Sequence, residues 1–292
     1  MADKESKIND IVNIATDDTR EEDGDDENEN ETRIDLGISL DKLNISPKKK
    51  LLVLPLRGFL IHRAHLRTPS TIPKNRLPDF SYGDYLVYKR PFCEEFLKFC
   101  FERFQVGLWS SCIEDNLEST LTHVMGELKS KFLFTWDQNQ CTKTEFMDLK
   151  HKKKPVLLKE LRNLWQNRDS SLPWYEGEYS SSNTLLITDP VKAIGNPPNT
   201  AIFPEKYDAE NMEDDFLGPN GELRAYLDGL VEAKDVQFYV EDHPFGEPAI
   251  SPSHSDWDNY SELIYYHGYE EYTTEDKNWE YYSRVMLSFG KN

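Results

Sequence analysis

Residues 51–60 read Leu51-Leu52-Val53-Leu54-Pro55-Leu56-Arg57-Gly58-Phe59-Leu60 and follow Lys48-Lys49-Lys50. Four aliphatic side chains in a row are too few for a helix and are apolar on both faces of a strand. The run therefore predicts a strand buried on both sides. Pro55 has no N–H to give a neighbouring strand and is tolerated at a strand's end, so the strand is expected to stop there.

Working outward, Val106–Trp109, Phe132–Trp136, Thr184–Ile187 and Ala201–Phe203 are further short apolar runs. Helical patterns lie between them. From Pro91 to Phe104, Phe92, Phe96, Cys100 and Phe104 recur four apart among Glu94, Glu95, Lys98, Glu102 and Arg103. That spacing makes an amphipathic helix with proline near its first turn. Asn116–Leu128, Pro155–Trp165 and Gly221–Ala233 also read as helices; in the second, Leu157, Leu158, Leu161, Leu164 and Trp165 share a face. Short apolar strands alternating with helices predict the α/β class, one Rossmann-like domain whose parallel sheet is covered by helices.

The flanks differ in composition. The chain has 292 residues and a formal net charge of −19. Residues 1–32 hold thirteen acids against Lys4, Lys7 and Arg20, so over half of the net charge sits in about a tenth of the length. This predicts an acidic disordered tail over residues 1–45, with Ile34, Leu36, Ile38 and Leu40 as a possible edge strand or docking segment. A domain over 46–243 follows. Residues 244–292 begin with Pro244, Pro248 and Pro252 and continue as acids interleaved with Trp257, Tyr260, Tyr265, Tyr266 and more aromatics. They are expected to pack over the domain surface, the alternative being a protein-docking segment.

A polyanion lacks the cations that neutralise phosphates, which argues against nucleic acid as a partner. No stretch approaches the roughly 18 apolar residues of a membrane span. Cys93, Cys100, Cys112 and Cys141 show no CxxC spacing, and no secretory signal is apparent, so free thiols and no zinc are expected.

The stretch at 52–60 resembles the first motif of haloacid-dehalogenase-superfamily phosphatases, where an apolar strand ends in Asp-x-Asp-Gly-Thr-Leu. Five further segments, in order, resemble one branch, the NLI-interacting-factor-like domain of phosphatases acting on the RNA polymerase II C-terminal tail. These are Lys89-Arg90-Pro91-Phe92 with Glu95-Phe96-Leu97, Val106 to Ser111, Trp136 to Thr142, Lys159-Glu160-Leu161, and Thr184 to Pro190 with Asn196 to Thr200. The resemblance covers about residues 50–240. It implies the superfamily fold. In active members it also implies an aspartate nucleophile, a second aspartate as acid and base, and a magnesium ion, with a third-motif lysine neutralising phosphoryl charge.

Against that pattern, Pro55 stands at the nucleophile position, Arg57 at the acid/base position and Phe59 at the first-motif threonine. The fourth motif has become Thr188-Asp189-Pro190, one residue short. Proline cannot attack phosphorus or ligate a metal, and arginine does not release a proton near neutral pH. The expectation is a catalytically inactive phosphatase-like protein, with no intact catalytic residue, no metal and no cofactor. It would act through protein or phosphopeptide binding. Arg57, Ser110 and Lys159 would form the phosphate-binding cluster; the plainer reading is that Arg57 pairs with Asp189 and nothing binds. Alternatives are an active protein serine/threonine phosphatase and a receptor of the mitochondrial inner-membrane presequence translocase, whose domain is likewise degraded. The leading reading places the protein in nucleus or cytoplasm. His62 and His65 read as ordinary loop histidines rather than a metal pair, His151-Lys152-Lys153-Lys154 as a solvated loop, and Cys112 as no nucleophile. Lys48–Lys50 could act as a weak nuclear-import signal.

Overall fold

A computed structural model describes residues 48–149, 154–167 and 172–269. All belong to the second of two compact units, residues 47–292. The acidic tail with its Ile34–Leu40 alternation, most of the 151–154 basic run, and the aromatic residues beyond 269 lie outside the described residues.

Strand β1 (Leu51–Leu54) is fully buried and ends immediately before Pro55. The chain turns at Gly58, with φ of +80°, and enters β2 (Ile61–His65). With β3 (Phe80–Tyr82) and β4 (Tyr85–Lys89), β2 builds a small antiparallel sheet in the order β2-β4-β3. The sequence reading took His62 and His65 as loop residues. They belong instead to a strand whose outer positions are polar and only half-buried, and so give no apolar run.

Helix α1 (Cys93–Arg103), β5 (Gln105–Trp109), α2 (Glu114–Met125) and β6 (Phe134–Trp136) follow. Pro155–Trp165 is not one helix: β7 (Thr142–Met147) pairs antiparallel with β8 (Pro155–Leu158), and only α3 (Leu161–Trp165) is helical. An apolar run of this length is ambiguous between strand and helix. The ambiguity is resolved from outside the segment. Thr144 Oγ1 donates to the Val156 carbonyl at 3.1 Å, and Asn196 clamps the junction. Its Nδ2 donates to the Lys159 carbonyl at 2.8 Å and its Oδ1 accepts from the Leu161 amide at 2.7 Å. β9 (Thr184–Ile187), β10 (Ala201–Ile202), α4 (Glu222–Glu232), α5 (Val236–Asp242) and α6 (Trp257–His267) complete the unit.

The main sheet has five parallel strands in the order β10-β9-β1-β5-β6. Alternation along β1 sends Leu52 and Leu54 into one core with α1, α2 and α4, and Leu51 and Val53 into a second with α3, Trp109, Trp136 and Trp174. The parallel sheet covered on both faces is therefore present. In β5, Gly107 is required by packing: a Cβ there would lie 2.2 Å from the Phe134 ring. The prolines at 244–252 do not prevent a later helix. Tyr260 and Leu263 of α6 are buried against Val156, Leu158 and Ile194, and each such side chain is worth about 1.5–3 kcal/mol. Among the described residues no helix is long and apolar enough to cross a membrane.

Candidate functional site

Successive connections leave β1 toward β5 on one side and β9 toward β10 on the other. In open parallel sheets the ligand crevice lies at this reversal, beyond the carboxyl ends of the strands. The ends of β1 and β9 bring Pro55, Arg57, Thr188 and Asp189 to this edge. β5 brings Ser110, and the residue after β8 is Lys159.

Asp189 is held from two sides. Its Oδ2 lies 2.5 Å from Lys192 Nζ and its Oδ1 2.8 Å from Lys206 Nζ. Burial alone would raise its pKa, but the two ammonium groups outweigh burial and hold the carboxyl well below the usual range. Lys206 arrives from the stretch after β10 and lies along Gly58, 3.8 Å from where that residue's Cβ would stand. The expectation that Arg57 pairs with Asp189 is therefore corrected. Two lysines that no motif singled out satisfy this carboxylate, and Arg57 takes no part.

Arg57 is exposed and, among the described residues, makes no hydrogen bond or ion pair. Its pKa is lowered by partial desolvation and by Arg63, with Tyr85, Cys112 and Tyr82 acting the other way; a guanidinium so placed stays charged. Arg63 from β2 is itself anchored. It donates to Tyr82 Oη at 2.9 Å and lies 4.3 Å above the Tyr85 ring. Two guanidinium groups thus flank an aromatic wall supplied by the small antiparallel sheet. Sequence reasoning missed Arg63 because half-exposed strands carry weak periodicity.

The other expected residues are placed differently. Ser110 is buried and donates from Oγ to Cys112 Sγ at 3.1 Å. Lys159 is 1% exposed, and its pKa falls to about 7 through burial and Lys192, against opposing pulls from Cys141 and Asp189. No hydrogen bond or ion pair joins Arg57, Ser110 and Lys159 among the described residues. Phe59 is a core residue, edge-on to Phe96 at 6.0 Å and to Phe216 at 6.4 Å. Thr188 Oγ1 is buried without a partner. His62 Nε2 meets the Thr71 carbonyl at 2.7 Å and His65 Nδ1 accepts from the Arg67 amide at 3.0 Å. Three apart on a strand, the two rings fall on opposite faces, and no metal pair forms. Among the described residues no group of three or more His, Cys, Asp or Glu is arranged to hold a metal ion.

Comparison with known proteins bears on what this arrangement descends from. A curated relative, an uncharacterized FCP1 homology domain-containing protein of Schizosaccharomyces pombe, is 25% identical over 207 residues, which are 68% of this chain and 78% of that protein. Among solved structures, Fcp1, described as an essential RNA polymerase II CTD phosphatase, is similar at 13% identity with a TM-score of 0.36. The match covers 77% of this chain and 63% of that one, so the chain spans less than two thirds of its length. Fission yeast Fcp1 bound to beryllium fluoride is similar at 13% identity and a TM-score of 0.35, covering 87% of this chain and 70% of that one. The sequence model of one family, NLI interacting factor-like phosphatase, matches residues 50–237, from the lysine before β1 into α5. The match spans well over half of the chain, and the chain belongs to the NLI interacting factor-like phosphatase family.

Proposed function

We propose that this member of the family does not carry out phosphoryl transfer and acts by binding protein, with a phosphoserine or phosphothreonine segment as its ligand. One observation carries the reading: both oxygens of Asp189, the acid that follows β9, are taken by Lys192 and Lys206. Pro55 carries no carboxylate and no other metal-ligating group. A single carboxylate already paired with two ammonium groups does not fit magnesium, which demands several free oxygen ligands at short range. Arg57, Arg63, Lys192 and Lys206 stand near Asp189 at this edge, and cations so gathered suit an anionic ligand. Arg57 is exposed and makes no ion pair among the described residues, and with Arg63 beside it a phosphate could be gripped by two guanidinium forks. A nuclear or cytoplasmic setting goes with this reading.

Calorimetric titration of a phosphoserine peptide against its unphosphorylated twin tests it. The phosphorylated form alone is expected to bind, and Arg57→Ala to weaken binding by about tenfold or more, as loss of a charge-assisted contact does. Equal binding of both peptides, or binding unchanged in Arg57→Ala, contradicts the proposal.

A further inference from the structure

A groove of about 720 Å³ runs between the loop that leads into β10, the end of α5, residues 244–251 and the last turn of α6. Ile194, Phe203, Val240, Ile250 and Ile264 give it apolar walls. None of Pro55, Arg57 or Asp189 lines it, so it is distinct from the site at the strand ends. Protein surfaces seldom leave an apolar concavity of this size uncovered. The charged residues along it are Glu241 and Glu247, both exposed and without an ion pair among the described residues.

The chain itself supplies a fitting occupant. Tyr269, the residue at which the described chain leaves α6, lines the groove. Residues 270–280 then carry Glu270, Glu271, Glu275, Asp276 and Glu280 against Lys277, the wrong sign for a rim of two glutamates. Residues 281–292 change character. They hold Tyr281, Tyr282, Val285, Met286, Leu287 and Phe289, with Arg284 and Lys291 and no acid. Apolar side chains flanked by cations match apolar walls flanked by Glu241 and Glu247.

We propose that residues 281–289 dock in this groove within the same chain. Val285, Met286, Leu287 and Phe289 meet its apolar walls, and Arg284 meets the glutamates. The intervening residues 270–280 span at most about 36–40 Å when extended, ample for turning back onto a groove that begins at Tyr269. A tether this short holds the segment at an effective concentration on the order of millimolar, which favours it over a separate chain. A second copy of the chain, at a net charge of −19, is also repelled by the acidic rim.

The test is crosslinking in the full chain. Ser251→Cys in the groove and Ser288→Cys in the segment each replace a hydroxyl by a thiol of similar size. After treatment with a short bismaleimide, peptide mass spectrometry should find the 251–288 link within single chains, at a yield independent of protein concentration. Val285→Asp with Leu287→Asp, both outside the described fold, should lower that yield about tenfold or more as two apolar side chains lose their burial. Glu241→Lys with Glu247→Lys, at exposed positions, should lower it as well. Three results would overturn the proposal. One is a yield no higher than that from Glu102→Cys with Ser288→Cys, a pair whose first member lies in a different groove. Another is a link found only between chains and rising with concentration, which places a second copy in the groove. The third is a yield undiminished by both pairs of substitutions.

Discussion

Lys206 Nζ stands 2.8 Å from Asp189 Oδ1, with its aliphatic stem lying along Gly58. A side chain from beyond β10 thereby crosses the turn after β1 to meet the acid after β9. The φ of +80° at Gly58 keeps that turn free of a Cβ, so the stem can lie close. With Lys192 on the other oxygen, the carboxylate's charge is met twice over.

The Lys206 pair contributes less than the Asp189 carboxylate as a whole. Lys206 is about half exposed, and such a pair is worth roughly 0–1 kcal/mol. Asp189→Asn leaves both ammonium groups facing each other without an anion between them, and should cost more, about 1–3 kcal/mol. Urea unfolding of Lys206→Ala and Asp189→Asn, compared at one pH, checks this order. A larger loss in Lys206→Ala contradicts it.

Lys159 imposes a pH dependence on stability. Its native pKa of about 7 lies below the ordinary lysine value of 10.5, so between those limits the unfolded chain binds a proton that the native chain does not. Stability then rises with pH across this window, by at most about 1.4 kcal/mol per unit, and is lost progressively as pH falls toward 7. Urea melts from pH 7 to 9 should show this slope in the wild type and a shallower one in Lys159→Met. Parallel slopes would remove the basis for a buried, neutral amine.

Away from the site, Arg90 and Asp214 form a buried two-pronged ion pair. Arg90 Nε and Nη2 each lie 2.9 Å from a carboxylate oxygen, and the guanidinium stands 4.4 Å above the Phe216 ring. Truncating either partner strands a buried charge and should cost about 3–5 kcal/mol. Thermal unfolding of Arg90→Ala and Asp214→Ala measures it; a loss under 1 kcal/mol for both would place the pair in water.

Gly107 is a packing prediction. Any side chain there meets the Phe134 ring, so Gly107→Val should destabilise by about 1–3 kcal/mol through overpacking. Pairing it with Phe134→Ala should recover part of the loss, as a double-mutant cycle on the same two residues would read out.

The parts legible in the sequence are those where one physical effect dominates. Leu51–Leu54 and Thr184–Ile187 are buried on both faces, so composition alone marks them as interior strands. Pro55 and Arg57 carry no carboxylate, which is legible whatever the surroundings. The sheet containing His62 and Arg63 stayed hidden because its half-exposed strands mix polar and apolar residues. The 155–165 segment reads as one helix because the residue that sets the break between β8 and α3, Asn196, is 35 to 37 residues away. The partner of Asp189 was missed for a similar reason. Nothing in the sequence distinguishes Lys206 from other surface lysines; only the fold carries it over Gly58.

The central claim is that the chemistry of this edge has been replaced by charge pairing. It is tested most directly by measuring hydrolysis of an aryl phosphate by the purified full chain with and without magnesium. The account predicts no magnesium-dependent turnover above the buffer rate, in the wild type and in Asp189→Ala alike. Turnover that needs magnesium and disappears in Asp189→Ala would contradict it.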